Sequence, residues 1–199
     1  MKKVILILIF TWSTINSYSQ HINPDGSINI PIKLEEFDTR WVATSWCYPV
    51  NHGSMQGYYN AFGFKSYSNF MQSNHLGVDI SGVGAPNSDL GDTVYCIAKG
   101  KVIYAYNDII MILHKTGNTY MVSLYRHCME LFIQDNQYIT YNQPIGRIGN
   151  CDGVYLAHLH FELRTNIYLN IGTGYGSKFD GYIDPLKFIC NKRKENYPL

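Results

Sequence analysis

Leu156 to Arg164 read LAHLHFELR, which puts His158 and His160 one residue apart in a segment with strand character. Side chains at i and i+2 of a strand share a face, so the two imidazoles project together while Leu159 turns the other way, into a core. Two charged imidazoles side by side would repel. The pair is tolerated when one ring binds a metal through a neutral nitrogen and the other is held for proton transfer. Upstream, His75 and Asp79 stand in HLGVD with Gly77 between them, where a glycine-permitted bend lets both side chains reach one ion. Histidine and carboxylate together suit Zn2+, and two His with one Asp leave the fourth tetrahedral position to water, as in catalytic rather than structural sites. His127 ends the strand-like run TYMVSLYRH, has no apolar role there, and is a candidate base or donor beside that water.

Each fragment alone has a bland explanation, since an HxH in a β protein is more often a surface pair or core filler. Their occurrence together and in order favours the metal. His21, His52 and His114 belong to no such pattern and read as residues of the N-terminus, a loop and a strand end.

Strands must carry these side chains. TVYCIA and KVIYAY read as a hairpin joined at Lys99-Gly100, and IIMILH, TYMVSLYRH, two short strands in QYITYNQPIGRIGN, and HLHFELR follow. Residues 37–70 are rich in aromatics, Gly, Ser and Asn and read as long loops with short strands. Helical periodicity is weak, and Asp184 to Cys190 (DPLKFIC) predicts one turn or two. The expected fold class is mostly β, an antiparallel sheet with few or short helices.

NHLGVDI, then SLYRHC, then AHLHFELR resemble the LytM/lysostaphin-type zinc metallopeptidases, family M23, whose pattern is HxxxD, a lone His on a later strand, then HxH. GDTVYCIAKGKVIYAY, QPIGRIGN and a late DP extend the resemblance from about Asn74 to about Leu186, over half the chain. The resemblance implies a LytM/lysostaphin-like β fold with a groove. It also implies one Zn2+ per chain held by His75, Asp79 and His160, with His127 and His158 as the catalytic histidines. No HExxH is present, so the histidines would supply the base. The implied activity is hydrolysis of peptidoglycan stem peptides or cross-links. A zinc D,D-peptidase class with a similar ligand set spaces its first His and Asp more widely than here. Relatives that have lost ligands act instead as non-catalytic modules that regulate cell-wall amidases, whereas all five positions are intact in this chain. Two departures touch the groove rim: Cys128 follows His127, and Asn150 to Tyr155 replace a Gly/Ser/Thr-rich turn before HxH. The aromatic run GYYNAFGFKSYSNF before His75 would form one wall.

Composition sets the outer bounds. The 199 residues suffice for one domain with a sizeable core, and 46% hydrophobic against 16% charged residues argues against disorder. A formal net charge of +1 without a dense basic run points away from nucleic acid. Met1-Lys2-Lys3, the apolar run Val4 to Phe10 and the small residues Ser17 and Ser19 read as a signal peptide over residues 1–19, hence a periplasmic or extracellular protein. No cysteine follows the apolar run, so no lipoprotein anchor is indicated, and no segment is long and apolar enough to be transmembrane. The expected organisation is a signal peptide (1–19), a loop-rich lead-in packing on the catalytic core (20–73) and the peptidase domain (74–199). Whether residues 20–36 lie across the groove as an inhibitory strand is open at this point, as are the oligomeric state and any pairing among the five cysteines, whose odd number leaves at least one thiol over.

Overall fold

The computed structural model describes residue 30 and residues 32–196, so the signal-peptide reading of residues 1–19 lies outside the described residues. Val, Ile, Thr and Tyr, which fit a pleated, half-buried surface, recur in most of the runs that become strands. The first of these are β1 (Tyr58–Phe62), β2 (Tyr67–Ser68), β3 (Ser73–His75), β4 (Val78–Gly82) and β5 (Thr93–Tyr95). Next come β6 (Gly100–Tyr106), β7 (Ile109–Thr116), β8 (Thr119–Arg126), β9 (Cys128–Leu131) and β10 (Tyr138–Ile139). The last are β11 (Pro144–Ile148), β12 (Leu159–Arg164), β13 (Tyr175–Gly176) and β14 (Tyr182–Ile183), before the helix α1 (Pro185–Asn196).

The main sheet runs β1-β4-β12-β8-β7-β6-β10, with β14 also paired to β12. Smaller sheets are β5-β11-β9 and β13-β3-β2. Among the described residues every pair of named strands is antiparallel, as expected for a mostly β chain of short hairpins.

Alternation along the central strands sorts side chains between two faces. Leu159, Phe161 and Leu163 of β12 join Tyr125, Ile110, Ile112 and Val102 in the larger core, which the β5-β11-β9 sheet, Trp46 and α1 cover with Val94, Ile145, Ile148 and Ile189. The opposite face carries Tyr104, Met111, Leu113, Val122 and Leu124, packed under Phe37, Ile167 and Ile171. Ile30, Ile32 and Leu34 pack against that second cluster too, so the described part of the lead-in covers β6 to β8.

Two expectations are corrected. Lys99-Gly100 does not form a hairpin: β5 pairs with β11, whereas β6 pairs with β7 and β10. The link between them is core, not surface turn, because Cys96, Ile97 and Ala98 are fully buried. The chain passes there from one layer to the other. The late helix is also longer than one or two turns. Asp184 accepts the Lys187 backbone N–H at 3.0 Å, and Pro185 begins the helix, where its missing N–H costs nothing.

Candidate metal centre

Asp79 and His160 are direct cross-strand partners in the β4–β12 register, which brings their side chains together without any loop. His75, at the end of β3, is paired to Tyr175 of β13 and reaches the same place through Leu76-Gly77. Gly77 serves close approach, not a left-handed bend: its φ lies outside the positive region. A Cβ there would sit 2.5 Å from the Phe161 carbonyl oxygen and 2.8 Å from Glu162 Cγ.

Three donor atoms converge. His75 Nε2 lies 2.8 Å from His160 Nδ1, His160 Nδ1 lies 3.0 Å from Asp79 Oδ1, and Asp79 Oδ1 lies 3.1 Å from His75 Nε2. Tetrahedral zinc with bonds of ~2.0–2.1 Å separates its donors by about 3.3 Å, so this triangle needs to open by only a few tenths of an ångström. The outward nitrogens fix the tautomers. His75 Nδ1 faces the Gly63 carbonyl at 3.3 Å and His160 Nε2 faces Glu162 Oε1 at 2.9 Å, both acceptors, so the hydrogens lie outside and the lone pairs point inward. Burial alone would raise the Asp79 pKa, but the hydrogen bonds and charges of His160 and His75 hold it well below the usual carboxylate range. Burial likewise opposes protonation of His160, yet Asp79 and Glu162 raise its pKa above the ordinary value. The donor set, its tautomers and its electrostatics fit a divalent cation.

Behind His160 lies a buried ion pair. Arg164 Nε donates to Glu162 Oε2 at 2.7 Å, and its guanidinium also donates to the carbonyls of Leu169, Asn170 and Ile171. Burial would raise the Glu162 pKa, but His160 and Arg164 bring it down to about 2, so the carboxylate is ionised. The residues before His158 and beyond His127 shape the open side. His158 Nδ1–H donates to the Leu156 carbonyl at 2.7 Å, and its Nε2 lies 3.9 Å from Asp79 Oδ1. The His127 ring lies 4.7 Å from that of His158 and 6.0 Å from that of His160. All five residues singled out in the sequence therefore lie in one cluster. Burial pushes the His127 pKa down; Asp108 opposes this, and His158 and His160 add to it. A cavity of about 300 Å³ opens beside His127, lined by Asp108, Met129, Cys151, Asp152 and Tyr155 among others.

The remaining histidines sit elsewhere. His52 pairs with the Tyr95 hydroxyl at 3.1 Å. His114 is inside β7 rather than at a strand end, fully buried between the Lys99 carbonyl and the Ser123 hydroxyl, and burial pushes its pKa down to about 4. His21 lies outside the described residues. Sequence reasoning missed Glu162 and Arg164, although the alternation that joins His158 to His160 continues to them. Asp108 and Tyr155 come from separate loops and carry no periodic signal.

Residues 73–171 match the sequence profile of peptidase family M23. This chain carries an M23 domain. The M23 domain holds every residue of the triangle and both flanking histidines. Outer membrane antigenic lipoprotein B of Histophilus somni is 29% identical over 163 residues, which cover 77% of this chain and 42% of that protein. The chain spans less than half the length of the curated relatives it matches. The catalytic domain of lysostaphin from Staphylococcus simulans shares the fold at a TM-score of 0.52 and 19% identity, over 71% of this chain and 98% of that one. A chain of the SpoIIQ–SpoIIIAH pore-forming complex does so at 0.51 and 17%, over 73% and 90%. Among the described residues, no helix is long and apolar enough to cross a membrane.

Proposed function

We propose that the protein is an exported zinc metalloendopeptidase that hydrolyses peptide cross-links of bacterial peptidoglycan. The observation that carries this reading is the inward-facing triangle of His75, Asp79 and His160 with two further histidines on its open side. A zinc ion held by those three residues would supply Lewis-acid polarisation of a peptide carbonyl and acidify water. His158 is the general base: with its Nδ1–H given to the Leu156 carbonyl, the neutral ring offers its Nε2 lone pair to the site and takes the proton there. His127 faces the same space and donates toward the oxygen that gains charge during attack. Glu162 holds the His160 ring in its ligand tautomer, and Arg164 keeps that carboxylate ionised and in place.

Export is supported by the basic-then-apolar N-terminus and by a relative named as an outer membrane lipoprotein. A peptidoglycan substrate is supported by family membership and by a fold shared with a protein described as an antimicrobial peptidase. The test is digestion of purified peptidoglycan by protein starting at residue 20, with and without a chelator, followed by mass analysis. New fragments with freed amine and carboxyl ends are expected, and they should vanish with chelator and return with zinc. Intact peptidoglycan in the presence of zinc-loaded protein would refute the reading.

A further inference from the structure

We propose that Tyr155 and Asp108 are positioning residues for His127: the phenol donates to Nδ1 and fixes the tautomer, the carboxylate holds the backbone, and Nε2–H is thereby aimed at the substrate. The role of that donor rests on the hydrolase reading above, whereas the tautomer can be read independently of any activity.

His127 has a φ of 67°, a left-handed conformation that a non-glycine residue adopts at a cost and keeps only when its surroundings enforce it. Its N–H donates to Asp108 Oδ2 at 3.3 Å, its carbonyl accepts from Gly149 N–H at 2.6 Å, and the next N–H, of Cys128, donates to the Asp108 carbonyl at 3.1 Å. Asp108 reaches this position because Asn107-Asp108 is the two-residue turn between β6 and β7, with Asn107 itself left-handed at 54°. The same turn therefore sets both the hairpin and the orientation of the histidine.

The His127 ring is anchored at Nδ1. The Tyr155 hydroxyl lies 2.5 Å from it, while Asp108 Oδ2 lies 3.6 Å away, beyond a hydrogen bond. A phenol is the stronger acid and an imidazole sp2 nitrogen the stronger acceptor, so O–H···N is the favoured pairing. Burial raises the Tyr155 pKa and keeps that hydroxyl protonated. The ring hydrogen of neutral His127 then resides on Nε2. His158 is the opposite case, since the carbonyl behind its Nδ1 can only accept. Two histidines 4.7 Å apart thus present unlike faces to the site, one a donor and one an acceptor, because different groups stand behind them. A residue holding a catalytic imidazole in one tautomer is worth orders of magnitude in rate in other hydrolases.

The test uses zinc-loaded protein labelled with 15N in its histidines, plus the Tyr155→Phe, Asp108→Ala and Asp108→Asn variants. Ring 15N shifts should show a bare Nδ1 and protonated Nε2 for His127, and the reverse for His158. Tyr155→Phe keeps the ring that packs against His127 and removes only the hydroxyl. It should shift His127 toward the Nδ1–H form and lower kcat on the order of 10- to 100-fold. KM should stay within about twofold and zinc content should not change, which a general loss of structure would not reproduce. Asp108→Ala should lower kcat with the tautomer unaltered, and Asp108→Asn, which keeps an oxygen for the His127 N–H, should recover part of the loss. An Nδ1–H His127 in the wild type, or wild-type tautomer and kcat in Tyr155→Phe, would overturn the proposal. A wild type that binds zinc but cuts nothing would refute the hydrolase reading, leaving the ring shifts to decide the tautomer.

Discussion

Gly77→Ala adds one methyl group where β12 closely approaches the segment carrying His75 and Asp79. The new Cβ would lie 2.5 Å from the Phe161 oxygen, whereas carbon–oxygen contacts settle near 3.3 Å, so the strands have to part by about 0.8 Å. His75 and Asp79 are on one side of that gap and His160 on the other. Metal–ligand distances tolerate about 0.2 Å, so the displacement exceeds the tolerance roughly fourfold. We expect zinc affinity to fall on the order of 100-fold or more, with a metal-independent loss of about 1–3 kcal/mol from overpacking. Competition with a chromophoric chelator measures the first, and guanidinium unfolding of chelator-treated protein measures the second. If Gly77→Ala binds zinc as tightly as wild type, the close approach of β12 does not set the triangle, and the account of the site fails.

Other substitutions probe separate links. His158→Ala and His127→Ala should keep stoichiometric zinc yet lose about 10²- to 10⁴-fold in kcat; a variant retaining the wild-type rate removes that residue from the mechanism. Arg164→Met strands the buried Glu162 carboxylate, and equilibrium unfolding should show a loss of about 3–5 kcal/mol, with less than 1 kcal/mol contradicting the ion-pair argument. His114, lowered from 6.5 to about 4 by burial, stays neutral in the folded chain while the unfolded chain takes up a proton. Its contribution is complete above pH 6.5 and is lost as pH falls toward 4, about 3 kcal/mol over that window. Unfolding curves at several pH values for wild type and His114→Gln should converge by about this amount, and parallel profiles would dismiss the effect.

The chemistry was more legible than the chain path. Alternation in LAHLHFELR and the HxxxD spacing are local patterns, and the cross-strand register turns them into neighbours in space. The mostly β, antiparallel fold was readable for the same reason, because strands advertise themselves two residues at a time. Lys99-Gly100 misled because turn residues can equally mark a crossing between layers, and only burial distinguishes the two. The length of α1 was hidden by its polar second half, NKRKEN, which shows no apolar stripe. Asp108 was invisible as a site residue, and Tyr155 was legible only as part of the rim loop, because their partner, His127, is brought to them by tertiary packing alone.

The triangle is mounted on strands and on a β3–β4 step locked against β12, whereas the groups that orient His127 come from the Asn107-Asp108 turn and the Asn150–Tyr155 loop. Inheritance can act on these two sets separately. Changes in either loop would alter the setting of His127 while the ion-holding framework stays as it is. A scaffold divided in this way lets proton-handling groups vary independently of the frame that gathers the ligands.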